Sequence, residues 1–276
     1  MQFSLESLAA VATILGTGLS ILALIKSRDW LMFTSLPLIG VAIFAGLYAR
    51  RERQALKSAT VTVEGYSIDS LTAANLKRRV NRSLIIQEAH HIARIEGEDL
   101  HIEWTYAGYC RAKRETAMEF SVESAYAVTF ADLDCSGFDL ACDPAMQHQI
   151  QPVLIGTNGL SKKISVPFLE PLHAQQPFRV MLRCTLPRCM TFGFAYYTAT
   201  LSFAQNRIRR STVRLIFVGQ KPRWVRVYEC SPGKQPVLIK NLAPTRGQDG
   251  DSDYLDVIGD TAGQSARVYA FWRETN

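Results

Sequence analysis

The alternation of apolar and polar positions divides this chain into two unequal parts. Leu8 to Ile25 is an uninterrupted apolar run of 18 residues, and Trp30 to Ala49 is a second of 20. At about 1.5 Å of rise per helical residue, each run matches a bilayer hydrocarbon core of about 30 Å. Only Lys26, Ser27, Arg28 and Asp29 separate the runs, so the pattern predicts an antiparallel two-helix transmembrane hairpin over residues 1–49, with spans at 8–25 and 30–49. Pro37 predicts a kink in the second span, because a proline removes one backbone donor and frees a carbonyl. Trp30 and Tyr48 stand at the ends of that span, where amphipathic rings prefer to lie. A cleaved signal peptide is the competing reading of the first run. Against it, Glu6 is the only charged side chain ahead of the run, and the run is long for that purpose.

After the spans the pattern changes. Residues 50–58 form a basic juxtamembrane linker carrying Arg50, Arg51, Arg53 and Lys57, and residues 59–276 read as one β-rich domain. Thr60 to Glu64 (TVTVE) alternates as a short strand. Residues 69–82 read as one short helix, with Leu71, Leu76 and Val80 on one face. From about residue 92 the grammar is β. DLHIEWTY places Leu100, Ile102 and Trp104 on one face, and AMEFSVE does the same with Met118, Phe120 and Val122. Further strands are expected at 150–155, 163–168, 178–185, 195–204, 212–218, 224–229, 237–241 and 267–272. The phrase at 164–186 reads as two strands joined through a proline-marked crossover. Many short strands separated by Pro, Gly, Asn and Asp predict a sandwich or barrel.

Charge adds direction. The chain has 31 Lys and Arg against 25 Asp and Glu, and all six of the excess positive charges fall beyond residue 49. Basic residues after the second span favour a cytosolic domain by the positive-inside bias. That gives a multi-pass inner-membrane protein with both termini in the cytoplasm. An envelope protein with its domain outside is the alternative topology. The cysteines Cys110, Cys135, Cys142, Cys184, Cys189 and Cys230 are then expected as thiols, as is usual in a reducing compartment. Cys184 and Cys189 lack a second pair, so no metal site is expected.

Within the spans, Ala12, Gly16 and Ser20 recur every four residues, as do Ala42 and Gly46, with Gly40 nearby. Small residues at this spacing let helices approach closely, either between the two spans or between subunits. Neither span carries an interior ionisable residue, which argues against a dedicated ion pathway.

Between Pro171 and Tyr228 the chain has no Asp or Glu over 58 residues. Arg207, Arg209, Arg210, Arg214, Lys221, Arg223 and Arg226 cluster there with Trp224. Guanidinium forks beside aromatic faces suit phosphate groups and stacked bases. Three readings stay open: a nucleic-acid or partner-binding face, pairing with acids such as Asp249, Asp251, Asp253, Asp256 and Asp260, or contact with lipid headgroups. No catalytic motif stands out. His90 and His91 are adjacent, and Glu88–His91 and His101–Glu103 are the only candidate pairs. The chain is therefore expected to be no enzyme and to need no cofactor.

The segments MQFSLESLAAVATILGTGLSILALIKSRDWLMFTSLPLIGVAIFAGLYARRER, EDLHIEWTYAGYC and SKKISVPFLEPL together resemble the two-transmembrane effectors of bacterial anti-phage defence, most of all those associated with retrons. The two-transmembrane β-barrel effectors of cyclic-oligonucleotide signalling are a looser likeness. The resemblance implies an abortive-infection toxin. It would be held inactive by a reverse transcriptase and its multicopy single-stranded DNA (msDNA), and on release would oligomerise and disrupt inner-membrane lipid. The alternative it implies is a membrane-tethered sensor of nucleic acid or of a cyclic oligonucleotide, without toxicity of its own.

Overall fold

Side chains alternate between core and solvent along several of the longer strands of the computed structural model, such as those at 115–123, 210–217 and 252–258. The described residues are 46–47, 61–68, 81–124, 126–141, 148–200, 208–231, 234–245, 250–259 and 266–274. The chain divides into two units, residues 1–60 and 61–276. Of the first, only Gly46 and Leu47 are described, and both are helical. The remainder of the expected hairpin and linker lies outside the described residues, among which no helix is long and apolar enough to cross a membrane.

The second unit is mostly β. Its strands are β1 (Val61–Val63), β2 (Tyr66–Ile68), β3 (Leu84–Glu96), β4 (Asp99–Cys110), β5 (Glu115–Glu123), β6 (Ser136–Asp139), β7 (His148–Ile150), β8 (Val153–Asn158), β9 (Ser161–Leu172), β10 (Pro177–Leu186), β11 (Gly193–Thr200), β12 (Arg210–Phe217), β13 (Trp224–Cys230), β14 (Val237–Asn241), β15 (Ser252–Ile258) and β16 (Ala266–Arg273). Besides the β1–β2 hairpin they form three sheets, ordered β15-β12-β3-β4-β10-β6-β7, β11-β16-β13-β14 and β5-β9-β8.

The seven-stranded sheet makes one layer. Its inward residues, among them Ala89, Ile102, Val180, Leu182, Val213 and Leu215, join one core with Met118, Phe120 and Val166 of the three-stranded sheet and with Tyr197, Val227 and Phe271 of the four-stranded sheet. Phe217 meets Phe271 edge to face, with centroids 4.9 Å apart. Each buried Val, Leu, Ile, Phe or Met side chain stabilises the fold by roughly 1.5–3 kcal/mol before entropy is counted. The crossover expected within 164–186 is present: residues 173–176 carry the chain from β9 in the three-stranded sheet to β10 in the seven-stranded one.

Several expectations are corrected. The β region begins at Leu84, not near 92, because a bulge between Ile86 and Glu88 in the β3–β4 ladder shifts the buried phase by one residue. Of the helix expected over 69–82, residues 69–80 lie outside the described residues, while Asn81 takes a left-handed φ of 53° and Arg82 lies in a turn. The strand expected over 150–155 is two strands, interrupted at Gln151 and Pro152. The strand expected over 195–204 is described over 193–200. β15 has no counterpart among the expected strands. The thiol expectation fails at one pair: Cys135 and Cys184 form a disulfide, with Cα atoms 4.3 Å apart. They lie directly across from each other, since Ser136 opposes Arg183 in the β6–β10 ladder.

Candidate ligand-binding face

The outer face of the four-stranded sheet is built on β16. Register places Phe194 of β11, Trp272 of β16 and Trp224 of β13 in one row across three strands. The next row holds Tyr196, Ala270 and Arg226, and the row beyond it Thr198, Val268 and Tyr228. The small central side chains Ala270, Val268 and Ala266 leave a trough, which Val61, Val63 and Ile68 of the β1–β2 hairpin fill, forming a second core with Tyr228 and Cys230.

The aromatic row stays half-buried and is extended by the hairpin. Tyr66 lies flat on Phe194, with centroids 4.0 Å apart and planes 6° from parallel, and is itself 46% exposed. Phe194 also meets Tyr196 at 6.3 Å and Trp224 at 6.5 Å. The Arg226 guanidinium carbon sits 4.7 Å above the Trp224 ring, within the range of a cation–π contact.

An acid enters this face. Glu64, at the tip of the hairpin, accepts a hydrogen bond from Arg226 Nη1 at 2.8 Å and another from the Tyr228 hydroxyl. The Tyr228 bond and then the Arg226 guanidinium hold the Glu64 carboxyl below its ordinary pKa. Burial, followed by the nearby carboxylate, pushes the Tyr228 phenol up to about 12.

The basic stretch read from the sequence is not one surface. Arg207 lies outside the described residues. Arg209 and Arg210 are exposed at the start of β12, in the seven-stranded sheet. Arg214, on the same strand, is tied to Asp253, with Nη2 to Oδ2 at 2.6 Å and Nε to Oδ2 at 2.9 Å. That bond raises the Arg214 pKa. Lys221 and Arg223 are exposed in the turn leading to β13, and only Trp224 and Arg226 reach the aromatic face. The stretch thus divides between two sheets. Intramolecular pairing holds for Arg214, with one of the expected aspartates, and for Arg226, with a glutamate outside the expected set.

The candidate histidine pairs are not formed as expected. Glu88 lies 3.6 Å from His90, not beside His91. His101 bonds Thr185, while Glu103 accepts from Arg183. Consecutive strand residues point to opposite faces, so His91 turns inward. There its Nε2 meets the Tyr106 hydroxyl at 2.9 Å and its Nδ1 the Tyr197 hydroxyl at 3.1 Å, while Trp104 Nε1 donates to Tyr197 at 2.6 Å. Burial lowers the His91 pKa to about 3, so the ring is neutral. Among the described residues, no group of three His, Cys, Asp or Glu side chains is placed to hold a metal ion.

Sequence reasoning misses Glu64, Tyr66, Phe194, Tyr196 and Trp272. The aromatic pair at 194 and 196 carries a period-two signal, but only strand pairing brings it beside Trp224.

No protein family's profile matches the chain, and no curated protein matches it. Among solved structures it is similar to an M1 zinc metallopeptidase from Deinococcus radiodurans, at 12% identity and TM-score 0.38 over 69% of this chain and 43% of that one. A two-domain M1 zinc metallopeptidase mutant bound to L-tryptophan gives 12% identity and TM-score 0.39, over 69% and 44%. A protein from Parabacteroides distasonis gives 8% identity and TM-score 0.40, over 68% and 40%. The chain therefore spans less than half the length of these proteins. Likenesses this slight carry no argument about its activity.

Proposed function

We propose that this chain is a membrane-anchored effector of an anti-phage defence system, whose β domain acts by binding a single-stranded nucleic acid or its nucleoprotein complex and not by catalysis. The membrane half of the proposal rests on the two apolar runs at 8–25 and 30–49 and on their flanking charges. The recognition half rests on one observation: Arg226 stacked over Trp224 beside the Phe194–Tyr66 pair, on one face of one sheet. Rings stack on any base and a guanidinium pairs with phosphate, so such a face favours single strands with little regard to sequence. In the retron-like form of the proposal, a reverse transcriptase–msDNA complex occupies this face and restrains the spans. Release lets the small-residue faces around Gly16 and Gly46 associate and perturb the bilayer.

The test is expression of the full chain without a partner, together with binding of labelled oligo(dT) by the detergent-purified protein at several salt concentrations. Growth arrest, loss of membrane potential and salt-sensitive binding are expected. Unchanged growth and membrane potential would overturn the effector half, and absence of binding would overturn the recognition half.

A further inference from the structure

We infer that the tip of the β1–β2 hairpin is an internal mimic of a nucleotide, occupying the platform that a single strand must take over. This inference rests on the nucleic-acid reading above. Two side chains of the tip stand in for the two parts of a nucleotide. The Tyr66 ring lies on Phe194 as a base would, 4.0 Å away and within 6° of parallel. The Glu64 carboxylate takes the Arg226 guanidinium at 2.8 Å and the Tyr228 hydroxyl, as phosphodiester oxygens would. Arg226 is meanwhile held against Trp224, so one guanidinium spans the ring-stacking and anion-binding parts of the face.

Turn geometry does not account for the glutamate. Glu64 and Gly65 both have positive φ, 53° and 81°. In a two-residue hairpin turn the first such position favours Asn, Asp or Gly, and an ordinary side chain there is strained. A glutamate is therefore a poor choice for the turn and a good one for reaching Arg226.

Displacement needs to move only the tip. Val61, Val63 and Ile68 are buried in the trough and hold the rest of the hairpin.

The experiment compares oligo(dT) binding by the full-length detergent-purified protein with that of Glu64→Gln, Tyr66→Ala and Glu64→Gln/Arg226→Gln. Freeing one guanidinium from an internal carboxylate should tighten binding by about tenfold in Glu64→Gln and steepen the salt slope by about 0.7, the value for one more phosphate contact on a single strand. Tyr66→Ala should also bind more tightly than the wild type, and the double variant should lose the gain. Wild-type binding with no tightening in either single variant would overturn the mimicry and leave the recognition proposal standing. No binding by the wild type or by any variant would overturn both.

Discussion

The carboxylate of Asp256, wholly buried on β15, accepts a hydrogen bond from Arg267 of β16 at 2.8 Å and so ties the seven-stranded sheet to the four-stranded one. The Tyr269 hydroxyl donates to the same oxygen at 2.8 Å, and Lys240 of β14 closes the other side. Burial works to raise the Asp256 pKa, but the bonds from Lys240, Tyr269 and Arg267 outweigh it and hold the pKa below the usual carboxylate value. Removing Asp256 leaves Arg267 and the Tyr269 hydroxyl without their acceptor, while the more exposed Lys240 can turn to water. Asp256→Ala should therefore destabilise the domain by about 2–3 kcal/mol in urea denaturation. A loss below about 1 kcal/mol would mean that the site is effectively solvated.

His91 gives the domain an acid sensitivity at higher pH than Asp256 does. Its folded pKa, about 3, lies below the unfolded value near 6.5. As pH falls below 6.5 the unfolded chain takes up a proton that the folded chain refuses, so stability declines until the folded pKa is reached. The slope should approach about 1.4 kcal/mol per pH unit between pH 6 and 4. His91→Gln should flatten that slope. The stability that Asp256 contributes is present at neutral pH and is lost only below about pH 5, as the unfolded aspartate begins to protonate. Denaturation curves of both variants across pH separate the two groups.

Gly108 faces the β3 bulge, and a Cβ added there would lie 1.8 Å from the Ile85 carbonyl oxygen. That atom is backbone and cannot rotate away. Gly108→Ala should cost about 3 kcal/mol or more, the upper end of overpacking penalties. Gly156 is the control. A Cβ there meets only the Lys163 side chain, at 3.9 Å, so Gly156→Ala should be nearly neutral. Equal thermal shifts in the two variants would refute the close approach at the bulge.

The Cys135–Cys184 bond closes a loop of 49 residues. By loop entropy its loss should cost roughly 4 kcal/mol, read as the difference in denaturation with and without reductant. A non-reducing peptide map should join the Cys135 and Cys184 peptides. Alkylation in intact cells before lysis reports the compartment as well. A bonded pair would place the domain in an oxidising space, contrary to the cytosolic topology expected from Arg50, Arg51, Arg53 and Lys57.

Strands whose alternation is unbroken are legible in the amino-acid pattern alone. Met118, Phe120 and Val122 all face the core. β14 spans the expected residues 237–241 without alternating, as Val237, Leu238 and Ile239 are all exposed. β3 is legible only in its second half, because the extra residue at the bulge gives LIIQEAHHIARIE an irregular spacing that matches no single period. β15 is hidden by chemistry: its aspartates read as loop or partner acids, although Asp256 is an inward strand position compensated by Arg267 and Tyr269. Trp224 and Arg226 are legible as candidates through composition. Their neighbours are not, because Glu64 lies 162 residues before Arg226 and only the fold brings the two together.

The seven-stranded sheet contains one parallel contact, between β3 and β12, with Arg210 opposite Glu88 and Phe217 opposite Ile95. Its partners stand more than 120 residues apart in the chain. During synthesis β3 can pair with β4 almost at once, but its other side keeps an open row of backbone donors and acceptors until β12 has emerged. Sheets closed by such distant strands fold slowly and are exposed to mispairing meanwhile. A nascent chain stalled before Arg210 should therefore aggregate or recruit chaperones, whereas one released after Arg273 has the strands it needs to close that edge.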